Sequence, residues 1–272
     1  MKRSAAILSL LQLLAFAPAS SSATGLEPGG VSQFEIELTP ELRRIAGRGE
    51  LSAAARAVVA VSLPADFDPS RDWPVMVVSA TSDRPYHSSR GLLAEYAAAA
   101  RDEGWILLAA DPWPDVPKAQ DDATLRFAVN FAALAVLQSQ WPGAARAGLA
   151  FGGFSGGSKY SGWLAAAFAS QGRKLIGIYA AGINRDTIAA TARDMGVLDD
   201  NYRRVPVFLQ SGERDPVSTP EEHRQVQSEL DRAGFKHVRV EYFPGRHEVE
   251  PALLRSALRW FRELAATPAT PG

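Results

Sequence analysis

The sequence predicts an α/β protein with a mostly parallel central sheet and helices on both faces. From Pro74 onward, short apolar segments alternate with longer segments of helical periodicity. Several short segments, such as "WILLAAD" and "KLIGIYAAG", are apolar throughout, which is typical of parallel strands buried on both faces. The chain has 272 residues and no linker rich in Pro, Gly or Ser, which favours one domain.

Eight strands are predicted. The first two, "VSQFEIELT" and "RAVVAVSLP", follow each other without a helix, so we expect them to pair antiparallel at one edge. The third, "PVMVVSAT", begins after a proline that cannot donate to a ladder. The other five are, in chain order, "WILLAAD", "AGLAFG", "KLIGIYAAG", "PVFLQSG" and "HVRVEYFPG".

Six helices are predicted between and after these strands. Start and stop residues support two of them: one begins at a serine and ends at Gly104, and another begins at Thr219 and ends at Gly234. The segments are "SSRGLLAEYAAAARDEG", "DDATLRFAVNFAALAVLQSQW", "GSKYSGWLAAAFASQG", "RDTIAATARDMG", "TPEEHRQVQSELDRAG" and "EPALLRSALRWFRELAA".

Charge and cysteine content exclude several function classes. Lys plus Arg number 29 and Asp plus Glu number 30, and no basic run stands out, so neither nucleic acid nor an anionic membrane is an expected partner. The chain has no cysteine, which excludes a cysteine nucleophile or cysteine-bound metal. The four histidines are scattered, and only a weak grouping of Asp83, His87 and Asp111 speaks for a metal, so none is predicted.

The first 23 residues match a secretory signal peptide. "MKRS" is basic, "AAILSLLQLLAF" is apolar, and small residues allow cleavage after Ala19 or Ala23. The apolar run lacks the polar face of an amphipathic helix, and it is shorter than the ~20 residues of a spanning helix. We therefore expect a secreted or periplasmic protein without stable membrane association, with one domain over residues 24–272.

The segment "GLAFGGFSGGSKYSGWLAAAF" surrounds one serine with glycines between a predicted strand and a predicted helix. Residues 153–157 match G-x-S-x-G, in which a strained turn exposes the serine at the carboxyl edge of a sheet. This context predicts Ser155 as a nucleophile. The amide of Gly156 begins the helix and is the predicted first donor of an oxyanion hole.

A serine nucleophile needs a base and an acid. His247 follows the carboxyl end of the last strand, whereas His237 lies at the opposite edge and His223 is expected on an exposed helix face. His87, in the loop after "VVSAT", is the weaker alternative base. Asp215 follows the preceding strand and is favoured as the acid over its neighbour Glu213.

Together these segments resemble the α/β-hydrolase family, particularly small exported esterases and dienelactone-hydrolase-like members. The resemblance covers roughly residues 56–266 and is carried by "VSLPADFDPSRDWPVMVVSA", "GGFSGGSKYSG", "LQSGERDPVS" and "FPGRHEVEPALLRSALRWF". The order serine, acid, histidine is that of the family. Only 23 residues separate the strands "KLIGIYAAG" and "PVFLQSG", so no cap domain is expected there.

One feature departs from the family. Many members carry His-Gly after the third strand, where this sequence has "VVSATSDRPYHSS". Position-matching assigns the second oxyanion donor to the amide of Thr81, with Ser82 as the alternative. Trp113, Phe154 and Tyr160 are the candidates for lining the substrate pocket.

The sequence thus predicts an exported serine hydrolase that cleaves small-molecule carboxylic esters through an acyl-enzyme, without a cofactor. A serine exopeptidase of the same fold is one alternative. A non-catalytic binding protein that retains the fold is another, because fold alone does not imply function.

Overall fold

The structure is a computed structural model that describes residues 25–83 and 85–267, so the predicted signal peptide lies outside it. The described part contains eight strands. They are β1 (Val31–Glu37), β2 (Arg56–Ser62), β3 (Val75–Ser79), β4 (Ile106–Trp113), β5 (Leu149–Phe154), β6 (Leu175–Ala181), β7 (Val207–Gly212) and β8 (Val238–Phe243).

All eight strands form one sheet in the order β1-β2-β4-β3-β5-β6-β7-β8. The β1–β2 and β2–β4 pairs are antiparallel, and every other pair is parallel. The expected antiparallel pair at one edge is therefore present. Because β3 to β8 run in one direction, their carboxyl ends share one edge, where open α/β sheets place their ligands.

The helices are α1 (Pro40–Ala46), α2 (Ser89–Asp102), α3 (Ala123–Gln140), α4 (Gly156–Ser170), α5 (Ile188–Asp194), α6 (Asp200–Arg203), α7 (Pro220–Ala233) and α8 (Pro251–Ala266). Six match the sequence prediction, and α1 and α6 do not appear in it. Both are short, with seven and four residues, so hydrophobic periodicity barely registers.

Helices cover both faces of the sheet. One apolar core lies between one face and the buried sides of α1, α3, α4, α5 and α7. A second core lies between the other face and α2 with α8. Central strands such as β3, β4 and β7 are consequently buried along almost their whole length, which accounts for their uninterrupted apolar sequence.

The connection between β6 and β7 contains only α5 and α6, and no cap domain is evident in the described residues. The predicted fold class, with a mostly parallel sheet and no cap domain, is confirmed. In the same part of the chain, no helix is both long and apolar enough to cross a membrane.

Candidate active site

Ser155 occupies a strained turn between β5 and α4. Its φ of 56° and ψ of −119° lie in a region that non-glycine residues rarely adopt. Such conformations cost about 1–3 kcal/mol and persist only where the surrounding structure enforces them. Here the Ser155 amide donates to the carbonyl of Ala181 at 2.8 Å, which fastens the turn to the end of β6.

Two glycines after Ser155 explain why the sequence is glycine-rich at this point. A Cβ atom on Gly157 would overlap the carbonyl of Ser79 at the end of β3, so α4 approaches that strand too closely for any side chain. A Cβ atom on Gly156 would meet the hydroxyl of Thr81. The absence of side chains therefore lets the amino end of α4 lie directly against the loop that follows β3.

Ser155, His247 and Asp215 are linked by two hydrogen-bond contacts. His247, on the loop between β8 and α8, has its Nε2 atom 2.9 Å from Ser155 Oγ. Its Nδ1 atom lies 2.7 Å from Asp215 Oδ2. The neutral imidazole with its proton on Nδ1 satisfies both contacts, because Nδ1–H then donates to the carboxylate and Nε2 accepts from the serine hydroxyl.

The Asp215 carboxylate is buried and fully engaged. Its other oxygen, Oδ1, accepts the amides of Val217 at 2.7 Å and Ser218 at 2.9 Å. Burial alone would raise the pKa of Asp215, but the Ser218 amide, the His247 ring and the Val217 amide outweigh burial and hold the pKa below its usual value. Glu213, the competing acid, has an exposed side chain. Asp215 is therefore ionised and oriented toward His247.

The loop that carries His247 is held by a buried glutamine that sequence analysis missed. Gln210 Nε2 donates to the carbonyl of Glu248 at 3.0 Å, next to the histidine. The Gln210 Oε1 atom accepts the hydroxyl of Tyr179 at 2.5 Å. Gln210 is 1% exposed in the centre of β7, and a lone amide in the apolar run "PVFLQSG" was the signal that could have revealed it.

The candidate oxyanion donors lie side by side. Thr81 follows β3 and touches Gly156, as described above, and its hydroxyl accepts the Asp83 amide at 3.2 Å. Among the described residues, no acceptor receives the amide of Thr81, of Ser82 or of Gly156. Amides without an acceptor are what an oxyanion hole requires, and the hydrogen-bond pattern does not separate Thr81 from Ser82 as the second donor.

The three predicted pocket residues take different positions. Phe154 packs against the imidazole of His247, with ring centroids 4.6 Å apart. Tyr160, one turn into α4, donates its hydroxyl to the carbonyl of Asp121 at 2.7 Å. Trp113 ends β4, is 44% exposed and pairs with Arg56, and β3 separates its strand from β5. Phe154 is therefore in direct contact with one of the three linked residues.

The remaining histidines lie elsewhere. The expected exposure of His223 is wrong, because it is fully buried on α7 with Val226 and Leu230, and its Nδ1 atom is 3.0 Å from the carbonyl of Thr219. His87 has its Nε2 atom 3.4 Å from Asp115. In the described ranges, no group of three His, Cys, Asp or Glu side chains is arranged to hold a metal ion.

Comparisons with known proteins show the fold. No family model matches the sequence, and no curated protein matches it. A bacterial heroin esterase structure is similar with a TM-score of 0.58 and 16% identity, over 96% of this chain and 90% of that one. A lidless α/β serine hydrolase from Xanthomonas campestris is similar with a TM-score of 0.56 and 17% identity, over 91% of this chain and 100% of that one.

An esterase from Thermogutta terrifontis, solved with butyrate bound, is similar with a TM-score of 0.56 and 13% identity, over 79% of this chain and 92% of that one. A Bacteroides ovatus protein assigned as a dipeptidyl aminopeptidase IV gives a TM-score of 0.57 at 12% identity, and this chain spans only 36% of its length. The chain therefore has the α/β-hydrolase fold, and the resemblance inferred from the sequence is confirmed at the level of structure.

Proposed function

We propose that this protein is a serine hydrolase that cleaves carboxylic esters through an acyl-enzyme intermediate. The observation that carries the proposal is the contact series from Ser155 Oγ through the His247 ring to Asp215, at the carboxyl edge of the sheet. Ester-cleaving proteins among the solved structures of this fold give it further support.

In the proposed mechanism, Ser155 Oγ attacks the ester carbonyl carbon while Nε2 of His247 takes the hydroxyl proton. Asp215 holds the imidazole and stabilises its cation. The amides of Gly156 and of Thr81 or Ser82 donate to the oxyanion. Collapse of the tetrahedral intermediate expels the alcohol, which receives the proton from His247, and leaves the acyl group on Ser155.

Deacylation repeats the sequence with water as the nucleophile. His247 removes a proton from water, the resulting hydroxide adds to the acyl carbon, and a second oxyanion forms against the same amides. Collapse then releases the carboxylic acid and returns the proton to Ser155 Oγ. Every proton moves between His247 and an oxygen atom, so the mechanism needs no cofactor.

A fluorophosphonate probe tests the nucleophile. We expect one adduct per molecule, which peptide mapping assigns to Ser155, and we expect none in Ser155→Ala. Adduct formation that is equal in wild type and Ser155→Ala would contradict the assignment. His237, which lies at the opposite edge of the sheet, offers a matched control, because His237→Ala should label at the wild-type rate whereas His247→Ala should not.

The reaction class is tested with two chromogenic substrates of the same purified protein. We expect turnover of a p-nitrophenyl ester and much slower turnover of an aminoacyl-p-nitroanilide. The reverse preference would favour a serine exopeptidase. Absence of turnover on both substrates, together with absence of labelling, would favour a binding protein that retains the fold.

We also propose that the protein is exported after cleavage of the leader in residues 1–23. N-terminal sequencing of protein recovered outside the cytoplasm should begin at Ser20 or Thr24. Recovery of an intact Met1 from that fraction would contradict the proposal. A chain that lacks residues 2–23 should remain in the cytoplasm, which provides the control for leakage.

A further inference from the structure

A buried arginine lies beneath the loop that offers the second oxyanion donor. Arg126, in the first turns of α3, is 1% exposed. It binds Asp121 with two nitrogens, Nε at 2.6 Å and Nη2 at 2.7 Å. The remaining donors reach the segment between β3 and α2: Nη1 donates to Ser89 Oγ at 2.6 Å, and Nη2 donates to the carbonyl of His87 at 3.1 Å.

The same guanidinium holds the beginning of that segment through one hydroxyl. Ser89 Oγ accepts the amide of Ala80 at 3.2 Å, and the next amide along the chain is that of Thr81. One cation therefore fixes the residue before Thr81, the first candidate donor, through Ser89, and it fixes the end of the segment through the His87 carbonyl. We refer to Arg126, Ser89 and Asp121 as the anchor.

The anchor also connects to the helix that follows the nucleophile. The carbonyl of Asp121 accepts the hydroxyl of Tyr160, which lies one turn after Gly156 on α4. The start of α4, which carries the Gly156 amide, and the loop after β3, which carries the amides of Thr81 and Ser82, are thus both connected to the same buried cluster.

The anchor contributes little net stability to the fold for the charge that it buries. Buried ion pairs lose much of their attraction to desolvation, and apolar replacements of similar volume are often as stable. Here a second buried carboxylate, Asp111 Oδ1, lies 3.4 Å from Arg126 Nη1. Burial would lower the pKa of Arg126, but Asp121 and Asp111 together keep it raised. A charged cluster at this position therefore points to a requirement for geometry.

We propose that Arg126 is a positioning residue that sets the second oxyanion donor, acting through Ser89 and the His87 carbonyl. This inference rests on the proposed function. The oxygen of the tetrahedral intermediate needs both donors at hydrogen-bond distance, and loss of one such donor reduces kcat by about 10²–10³-fold. A donor that is displaced but not lost should reduce kcat by a smaller factor.

Two neighbouring serines provide a matched test. Ser89→Ala removes the link between Arg126 and the Ala80 amide and leaves the Arg126–Asp121 pair in place. Ser88→Ala removes the cap of α2, where Ser88 Oγ accepts the Gly91 amide at 3.1 Å, and the bond from Ser88 Oγ to Asp111 Oδ2 at 3.0 Å. It leaves in place the bonds from Arg126 to Ser89, His87 and Asp121 and the bond from the Ala80 amide to Ser89. A third variant, Arg126→Lys, keeps the positive charge, but its ammonium group lacks the planar fork that bonds to Ser89 Oγ and to the His87 carbonyl at the same time.

We expect Ser89→Ala and Arg126→Lys to reduce kcat for p-nitrophenyl acetate by about 10–10²-fold with KM nearly unchanged. The reason is that a displaced donor weakens the stabilisation of the oxyanion, which forms in the transition state and is absent from the bound substrate. The affinity for a trifluoromethyl ketone, which forms a tetrahedral oxyanion on the serine, should fall by the same factor. The midpoint of the pH–kcat/KM profile should stay in place because His247 is not touched. Ser88→Ala should retain wild-type kcat.

Unchanged kcat in Ser89→Ala, an equal loss in Ser88→Ala, or a loss confined to KM would each overturn the inference. A wild-type protein that neither labels nor turns over an ester would instead contradict the proposed function. In that case the rate of hydrogen exchange at the Asp83 amide, which donates to Thr81 Oγ1, still tests whether the anchor holds the loop after β3 in place. Faster exchange in Ser89→Ala than in Ser88→Ala supports it, and equal rates overturn it.

Discussion

The ring of Phe154 packs against the imidazole of His247, with centroids 4.6 Å apart and a tilt of 40° between the planes. The residue before Ser155 therefore forms one wall beside the ring of His247. Aromatic contacts of this kind restrict rotation of the smaller ring and exclude water from its face. This contact suggests a second role for Phe154, support of the His247 ring, beside the substrate-pocket role that the sequence predicts.

The two roles of Phe154 have different kinetic consequences. If Phe154 supports His247, Phe154→Ala should lower kcat by about tenfold with little change in KM, because a misplaced base mainly affects the transition state. Phe154→Leu, which keeps apolar bulk, should lose less. Steady-state kinetics on p-nitrophenyl acetate separate the roles, and an increase in KM alone would return Phe154 to the substrate pocket.

The short contact between Asp215 and His247 predicts a large effect of an isosteric change. Asp215→Asn should fold normally but lose about 10³–10⁴-fold in kcat, because the amide favours the wrong imidazole tautomer. Glu213→Gln is the matched control and should keep wild-type activity, since the Glu213 side chain is exposed. A loss in Glu213→Gln that is absent from Asp215→Asn would show that the acid is misassigned.

The φ of 56° at Ser155 predicts stored backbone strain that can be measured without reference to activity. Ser155→Gly and Ser155→Ala both lack the hydroxyl, but only glycine adopts this conformation without a Cβ penalty. Ser155→Gly should therefore be more stable to urea than Ser155→Ala by about 1 kcal/mol. Equal midpoints for the two variants would argue against strain at this turn.

The bond from Gln210 to the Glu248 carbonyl predicts a positioning role for a residue that lies beneath the loop of His247. Gln210→Met keeps the length and removes the donor, so kcat should fall about 10-fold through displacement of His247. The buried Tyr179 hydroxyl, left without its acceptor, should also reduce the free energy of unfolding by about 1–3 kcal/mol.

Tyr179→Phe is the companion variant for Gln210. It removes the other partner of the same amide but leaves the bond to Glu248 in place, so kcat should remain close to wild type. The Gln210 Oε1 atom is then buried without a partner, so the free energy of unfolding should still fall by about 1–3 kcal/mol. Equal effects of Gln210→Met and Tyr179→Phe on kcat would show that the network contributes to folding alone.

The uncovered carboxyl edge predicts a preference for short acyl chains. Only α5 and α6 connect β6 to β7, and in the described part of the chain no cap domain covers the edge. Because each buried methylene adds about 0.8 kcal/mol of binding, a deep apolar pocket would raise kcat/KM as the chain lengthens. We expect the opposite trend across p-nitrophenyl esters from acetate to palmitate. A maximum at the long-chain end, or activation at an oil–water interface, would contradict it.

The sequence alone determined the elements of the fold, since these depend on neighbours in the chain. Apolar runs, turn residues and helix starts placed all eight strands and six of the helices, and the serine between a strand and a helix marked the turn at residue 155. The chain order of Ser155, Asp215 and His247, each after the carboxyl end of a strand, follows from the same local patterns. Their roles stay predictions.

The tertiary structure alone decided which side chains meet. In the sheet, β4 lies between β2 and β3, although β3 comes first in the chain. His223 is buried, and Gln210 bonds to the loop of His247. Each of these features depends on contacts between residues that are distant in sequence. In the sequence, Arg126 is a polar residue in a mainly apolar helix, and nothing near it in the chain shows its role. Its contacts with Ser89 and Asp121 form only when the chain folds. Periodicity reports which face of an element is buried, whereas hydrogen-bond partners depend on the packing of separate elements, which no local pattern encodes.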